Sequence, residues 1–188
     1  MHYFLTSLIL ALPLVLITPI SNWPTLAQEV SPEEEFPRAP EFRDVTDWIN
    51  GQALKMSDQK NKVTIIAFWT HGCINCVHNY PHLRAWQEKF KNTKEVTLVG
   101  IHTPEFDSEK DVKKIAAQAD KHQLKFLIAV DNSGANWRAW QNHYWPCVYV
   151  VDGQGKVRYR WEGELGEEGY KKVTSVVEAA LKELPKKN

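Results

Sequence analysis

The chain has 188 residues, enough for one domain with a real hydrophobic core. Its 23 Lys plus Arg balance its 23 Asp plus Glu, so charge leaves no footprint of a nucleic-acid or acidic partner. The one basic pair at the end, Lys186-Lys187, reads as a solvated tail over 185–188.

The run over residues 4–20 is nearly all apolar, and Thr25-Leu26-Ala27 sets small residues at the −3 and −1 positions of a cleavage site. This is the pattern of a secretory signal peptide over 1–27, although its first residues carry no Lys or Arg. The alternative is an uncleaved N-terminal anchor, for which a run broken by Pro13 and Pro19 falls short of the ~20 residues a span needs. Either way the expectation is export to the periplasm or an equivalent oxidising space. No cysteine lies near Ala27 to take a lipid. Residues 28–41, with Glu33-Glu34-Glu35 and three prolines, read as a linker, and the folded domain as 42–184.

Within the domain, Asp44 to Ile49 reads as a strand. Asn50-Gly51 reads as a hairpin turn, and Ala53 to Met56 as the returning strand. Val63 to Trp69 is a buried strand, followed by a break at Thr70-His71-Gly72. Ile74, Val77, Leu83, Trp86 and Phe90 recur at helical spacing. Val96 to Ile101 is a further strand. His102 to Glu105 is a loop, and Ser108 is placed to cap a helix running to about Lys121. Phe126 to Val130 is a strand, and Asp131 to Tyr144 holds a turn and a short aromatic-rich helix. Cys147 to Val151 and Lys156 to Trp161 form a hairpin, and Tyr170 to Leu184 is an amphipathic helix. Strands alternating with helices predict an α/β layer architecture around a mixed sheet.

Cys73 and Cys76 stand where the central strand gives way to a helix. A helix N-terminus offers unpaired N–H groups and partial positive charge, both of which favour a thiolate. A cysteine so placed has a pKa of about 3.5–7.5, against about 8.5 when free. A second thiol one turn away can resolve a mixed disulfide, so the pattern is that of thiol–disulfide exchange. Haem attachment needs His directly after the second cysteine, and Val77 stands there. The chemistry needs no cofactor beyond the redox-active Cys73–Cys76 disulfide.

Phe68-Trp69 ahead of the dithiol, Pro81 five residues after Cys76, and Trp145-Pro146 just before a strand together resemble the thioredoxin fold. The segment between Ile101 and Phe126 resembles the central insertion of the TlpA-like branch. Phe68-Trp69-Thr70, Cys73-Ile74-Asn75-Cys76, His102-Thr103-Pro104-Glu105-Phe106 and Tyr144-Trp145-Pro146 resemble its DipZ-like subgroup. The resemblance spans Phe42 to Leu184. It implies that Cys73 is the nucleophile and Cys76 the resolving thiol. It also implies a cis Pro146 that, with Trp145, borders a groove for an extended substrate chain. The implied function is reduction of protein disulfides, with electrons from a membrane protein of the DsbD/CcdA kind. Two positions depart from the family. Ala67 stands where thioredoxins carry a buried acid, and the TlpA-like glutamate that would replace it matches Glu105. Cys147 follows the expected cis-proline, where a thiol is unusual.

Cys147 has three readings: a small core residue, a partner in an alternative disulfide, or the third thiolate of a soft-metal site. The last defines the rival to an enzyme, a copper-binding or copper-carrying module using Cys73, Cys76 and either Cys147 or a histidine. A further rival is an adaptor with a structural disulfide. His71 is placed to tune Cys73 electrostatically. His78 and His82 share a helix face, which reads as solvated surface rather than a metal site. Trp86, Trp137 and Trp140 read as packing.

Overall fold

The computed structural model describes residues 37–186. The leader over 1–27 and most of the linker lie outside the described residues.

Six strands form one mixed sheet: β1 (Asp47–Ile49), β2 (Val63–Trp69), β3 (Val96–His102), β4 (Leu127–Val130), β5 (Cys147–Val151) and β6 (Val157–Glu162). Their spatial order is β1-β4-β3-β2-β5-β6. β2, β3 and β4 run parallel, β5 is antiparallel to β2 and to β6, and β1 is antiparallel to β4. The helices are α1 (Ile74–Phe90), α2 (Val112–Lys121), α3 (Ala135–Ala139) and α4 (Gly166–Lys182).

β2 is buried along its whole length, which is why it reads as an unbroken apolar run rather than an alternating one. Its side chains still alternate between faces. Val63, Ile65, Ala67 and Trp69 join a core with Cys76, Leu83 and Trp86 of α1, Ile115 of α2, and Val173 and Val177 of α4. Ile66 and Phe68 join a second core with Trp140, Cys147, Tyr149 and Val151. The crossovers through α1 and α2 advance in one direction along the sheet, so both helices cover the same face.

The predicted N-terminal hairpin is not present. Asn50 does take the left-handed conformation of an Asn-Gly turn, at φ 67°. Its side-chain amide donates to the carbonyls of Leu124 and Phe126, at 2.8 and 3.0 Å. This ties the turn to the entrance of β4, and β4 is also the strand that β1 pairs with. Residues 53–55 form no strand and lead into a 3₁₀ turn over Met56–Gln59. The carboxylate of Glu41 accepts the N–H groups of Met56 and Ser57 at the start of that turn, at 2.6 and 3.1 Å.

Other boundaries also move, among them the start of α4, which is Gly166 rather than Tyr170. Asp111, not Ser108, caps α2: its carboxylate accepts the N–H groups of Lys113 and Lys114. Residues 107–109 form a separate 3₁₀ turn. Residues 37–41, assigned by composition to the linker, are docked on the domain: Ala39 N–H donates to Gly155 O at 2.9 Å and Val157 N–H to Pro37 O at 2.8 Å.

Candidate active site

The parallel strands β2 and β3 end side by side, with Trp69 opposite His102, and β5 begins at the same edge, with Cys147 opposite Phe68. The segments Thr70–Cys73, His102–Glu109 and Tyr144–Pro146 therefore gather at one end of the sheet. The carboxyl ends of parallel strands are where α/β folds place their chemistry.

Cys73 occupies the N-cap position of α1 with an extended backbone, φ −89° and ψ 115°. Its Sγ accepts the N–H of Cys76 at 3.2 Å, as a Ser or Asp oxygen would in a conventional cap. The donated N–H and the helix dipole favour negative charge on this sulfur. Cys73 is half-buried and Cys76 is 1% exposed, so the first cysteine is the accessible one of the pair. Burial pushes the Cys76 thiol up; its contact with Cys73 and the Glu109 carboxylate add to this, against a hydrogen bond from the Thr70 backbone. Cys76 is held as a neutral thiol.

The acid beside the pair is Glu109. Glu105, the acid expected from the sequence, has an exposed side chain and contributes its backbone N–H, which donates to Glu109 Oε2 at 2.8 Å. Glu109 is 4% exposed. Its Oε2 also accepts the Thr70 hydroxyl at 2.6 Å. Its Oε1 lies against Gly72: a Cβ built on that glycine would fall 1.8 Å from it. Burial alone would raise the Glu109 carboxyl, but hydrogen bonds from Thr70, Glu105 and Phe106, with His71 nearby, hold it below the usual value. Ala67 is buried in the same core as Cys76, so the face that bears a buried acid in thioredoxins carries only a methyl here. No periodicity marks Glu109 among Glu105, Asp107 and Glu109; the 3₁₀ turn selects which of the three points inward.

Behind Thr70 lies His102, fully buried, with Nε2 3.3 Å from Thr70 Oγ1 and 3.1 Å from His71 Nδ1. Burial and the neighbouring His71 push its pKa down to about 3, so the ring is neutral. His71 is half-buried and stacks on His102 at an interplanar angle of 19°. It reaches Cys73 along the chain and the buried network through His102.

The Trp145–Pro146 peptide bond is cis. The Trp145 ring is half-buried, stacks on Trp137 with centroids 3.9 Å apart, and donates Nε1–H to Thr103 O at 3.1 Å. Cys147 points away from the dithiol. It packs with Phe68, Trp140 and Tyr149 in the second core, whereas Cys73 and Cys76 belong to the first. Burial pushes its thiol up to about 12. The sheet thus separates the third thiol from the pair, which favours the core reading over an alternative disulfide or a three-thiolate site. His78 pairs with Glu164 and His82 stacks on Tyr170, so the two histidines take different partners. Among the described residues no three His, Cys, Asp or Glu side chains are gathered to hold a metal.

The AhpC/TSA family matches the chain over residues 37–160. Protein DipZ of Mycobacterium tuberculosis is 36% identical over 129 residues, which are 67% of this chain and 18% of DipZ. The chain thus spans about a fifth of the length of that relative. Thiol-disulfide oxidoreductase YkuV of Bacillus subtilis is 29% identical over 127 residues, 68% of this chain and 84% of YkuV. Among solved structures, a thioredoxin-like protein in its oxidized form superposes with a TM-score of 0.69 at 27% identity, covering 80% of this chain and 98% of that one. With a mixed six-stranded sheet and a dithiol at the start of α1, the chain belongs to the AhpC/TSA family and has the thioredoxin-like fold.

Proposed function

We propose that the protein reduces disulfides in protein partners outside the cytoplasm, with Cys73 as nucleophile and Cys76 as resolving thiol. The observation that carries this reading is the pairing of a half-buried cysteine, whose Sγ accepts a helix N–H, with a buried neutral thiol one turn behind it. The Cys73 thiolate attacks one sulfur of the partner's disulfide, and the second partner sulfur leaves with the electron pair. Cys76 then attacks Sγ of Cys73 and the partner's first sulfur leaves. The partner has gained two electrons and the protein holds a Cys73–Cys76 disulfide.

Protein-sized partners are supported by three exposed apolar residues. Phe106 and Tyr144, 62 and 56% exposed, lie on two of the segments that gather at this end of the sheet, and Ile74, 64% exposed, follows Cys73 as the first residue of α1. Trp145 and the cis Pro146 would border the groove for the partner's chain, whose backbone can pair as a short strand. The apolar N-terminal run supports export. The resemblance to TlpA- and DipZ-like proteins supports the reducing direction and re-reduction by a membrane donor of the DsbD/CcdA kind. His71 would act on Cys73 through its charge. No observation favours the metal-carrier alternative once Cys147 lies across the sheet.

Equilibrium titration of the Cys73–Cys76 pair against glutathione or dithiothreitol tests the direction. Thioredoxin-fold potentials run from about −270 to −120 mV. A value near the lower end is expected, and one near the upper end would overturn the reductase reading. Cys76→Ser is expected to trap partners as mixed disulfides on Cys73, whereas Cys73→Ser traps none.

A further inference from the structure

We infer that Asn142 is a positioning residue for the partner groove: its side-chain amide, oriented by the Tyr149 hydroxyl, holds the Tyr144 carbonyl and so sets residues 144–146 in the form that a partner's chain meets. The inference deepens the proposed function and rests on those residues bordering the groove.

The stretch between α3 and β5 has neither helix nor strand to shape it. Gln141 turns it through a left-handed φ of 50°, and Gln141, His143 and Tyr144 are exposed. Asn142 is the exception, 3% exposed in the middle of this run. A buried amide is retained where its donors and acceptors are answered, and those of Asn142 are. Its backbone N–H donates to Trp137 O at 3.0 Å. Its Nδ2 donates to Tyr144 O at 3.0 Å. Its Oδ1 accepts the Tyr149 hydroxyl at 2.9 Å. A carbonyl can only accept, so the Tyr144 bond fixes which way the amide faces, and the hydroxyl supplies the hydrogen that Oδ1 needs.

These bonds close a ring with the contacts of Trp145. Asn142 ties Trp137 to Tyr144, and Trp145, the next residue, stacks back on Trp137 and donates to Thr103 O. Tyr149, which orients the amide, packs with Phe68 and Trp140 in the second core. That core holds neither Cys73 nor Cys76, yet through Asn142 it reaches the segment beside them. Asn142 is buried behind exposed neighbours and acts on a partner only through Tyr144 and Trp145. A partner's chain then pairs with a backbone already fixed, and does not bear the cost of ordering it.

The experiment follows mixed-disulfide formation by Cys73 in a Cys76→Ser chain. One substrate is a disulfide-bridged peptide; the other is hydroxyethyl disulfide, which has no chain to lay in a groove. In both, Cys73 Sγ bonds to one substrate sulfur and the other leaves as a thiolate. Asn142→Leu fills the same space without the amide. It is expected to raise the half-saturating peptide concentration about 10-fold, with the limiting rate and the rate on hydroxyethyl disulfide unchanged. Tyr149→Phe keeps the ring in the core and removes the hydroxyl; a rise of about threefold in the same quantity is expected. In Asn142→Leu, adding Tyr149→Phe is expected to change nothing further, because both substitutions remove one device. A general loosening of the fold would slow both substrates alike. Equal losses on the two substrates, a Tyr149→Phe chain that matches its parent, or effects of the two substitutions that multiply would each overturn the inference and leave the dithiol reading standing. A parent chain that forms no mixed disulfide with either substrate would sink the dithiol reading itself.

Discussion

A buried neutral imidazole has a cost that depends on pH. His102 titrates near 6.5 when exposed and near 3 in the fold, so below about pH 6.5 the unfolded chain binds a proton that the native chain refuses. Its contribution to stability is therefore complete above that pH. It is lost at about 1.4 kcal/mol per pH unit as the pH falls toward 3. His102→Gln should flatten the fall in stability between pH 6.5 and 3 by one proton, which denaturant titrations at several pH values would measure. An unchanged slope would mean that His102 is charged in the native protein. Cys147 makes the opposite kind of contribution, through packing. Cys147→Ala should cost about 1–2 kcal/mol and leave the potential of the dithiol unchanged. A shifted potential would bring the third thiol into the site. The sequence made both thiols of the pair legible, because their spacing and their place after a buried strand are local. It did not single out Glu109, because choosing among three acids over 105–109 depends on how a single 3₁₀ turn is oriented against Gly72.

Elements whose signals are local and apolar were legible to within a few residues. β2, α1, β5 and β6 fall where the sequence sets them, as burial on one or both faces writes their pattern directly. α4 begins at Gly166, four residues before Tyr170, since its first turn is polar and carries no periodicity. Polar end signals misled where two candidates competed. Ser108 and Asp111 both precede the apolar stripe of α2, and the stripe does not say which of them caps it. Asp111→Ala should lower stability by about 1 kcal/mol and Ser108→Ala by a few tenths at most, measured as midpoint shifts in denaturant. The reverse order would restore the earlier start of the helix. β1 shows the limit most plainly. Its Asn50-Gly51 turn promised a neighbour a few residues away, yet its partner runs Ile128–Val130, about eighty residues on. A turn dipeptide reports backbone conformation; pairing is settled by which sheet edge is open.

At the scale of the molecule, the sheet divides the core in two, and the two halves are closed differently. Three helices cover the dithiol side, while α3 and the chain before β2 cover the other. Residues 37–41 belong to this second cover. Deleting everything before Phe42 removes the bonds from Pro37 and Ala39 to the β5–β6 hairpin and the Glu41 cap on Met56 and Ser57. A fall of several degrees in the melting temperature relative to a chain beginning at Pro37 is expected, with the dithiol potential unaltered. Equal melting temperatures would return residues 37–41 to the linker. The same division gives Cys147 a use of its own. In a Cys73→Ser, Cys76→Ser chain it is the only thiol, and none of its surface reaches water. An alkylating reagent then has to wait for the second core to come apart. The labelling rate becomes a clock for spontaneous opening of the native chain, read without added chromophore and without heat. Graded denaturant would tell whether that opening is the global transition or a separate, smaller loosening of the layer formed by α3 and the N-terminal segment.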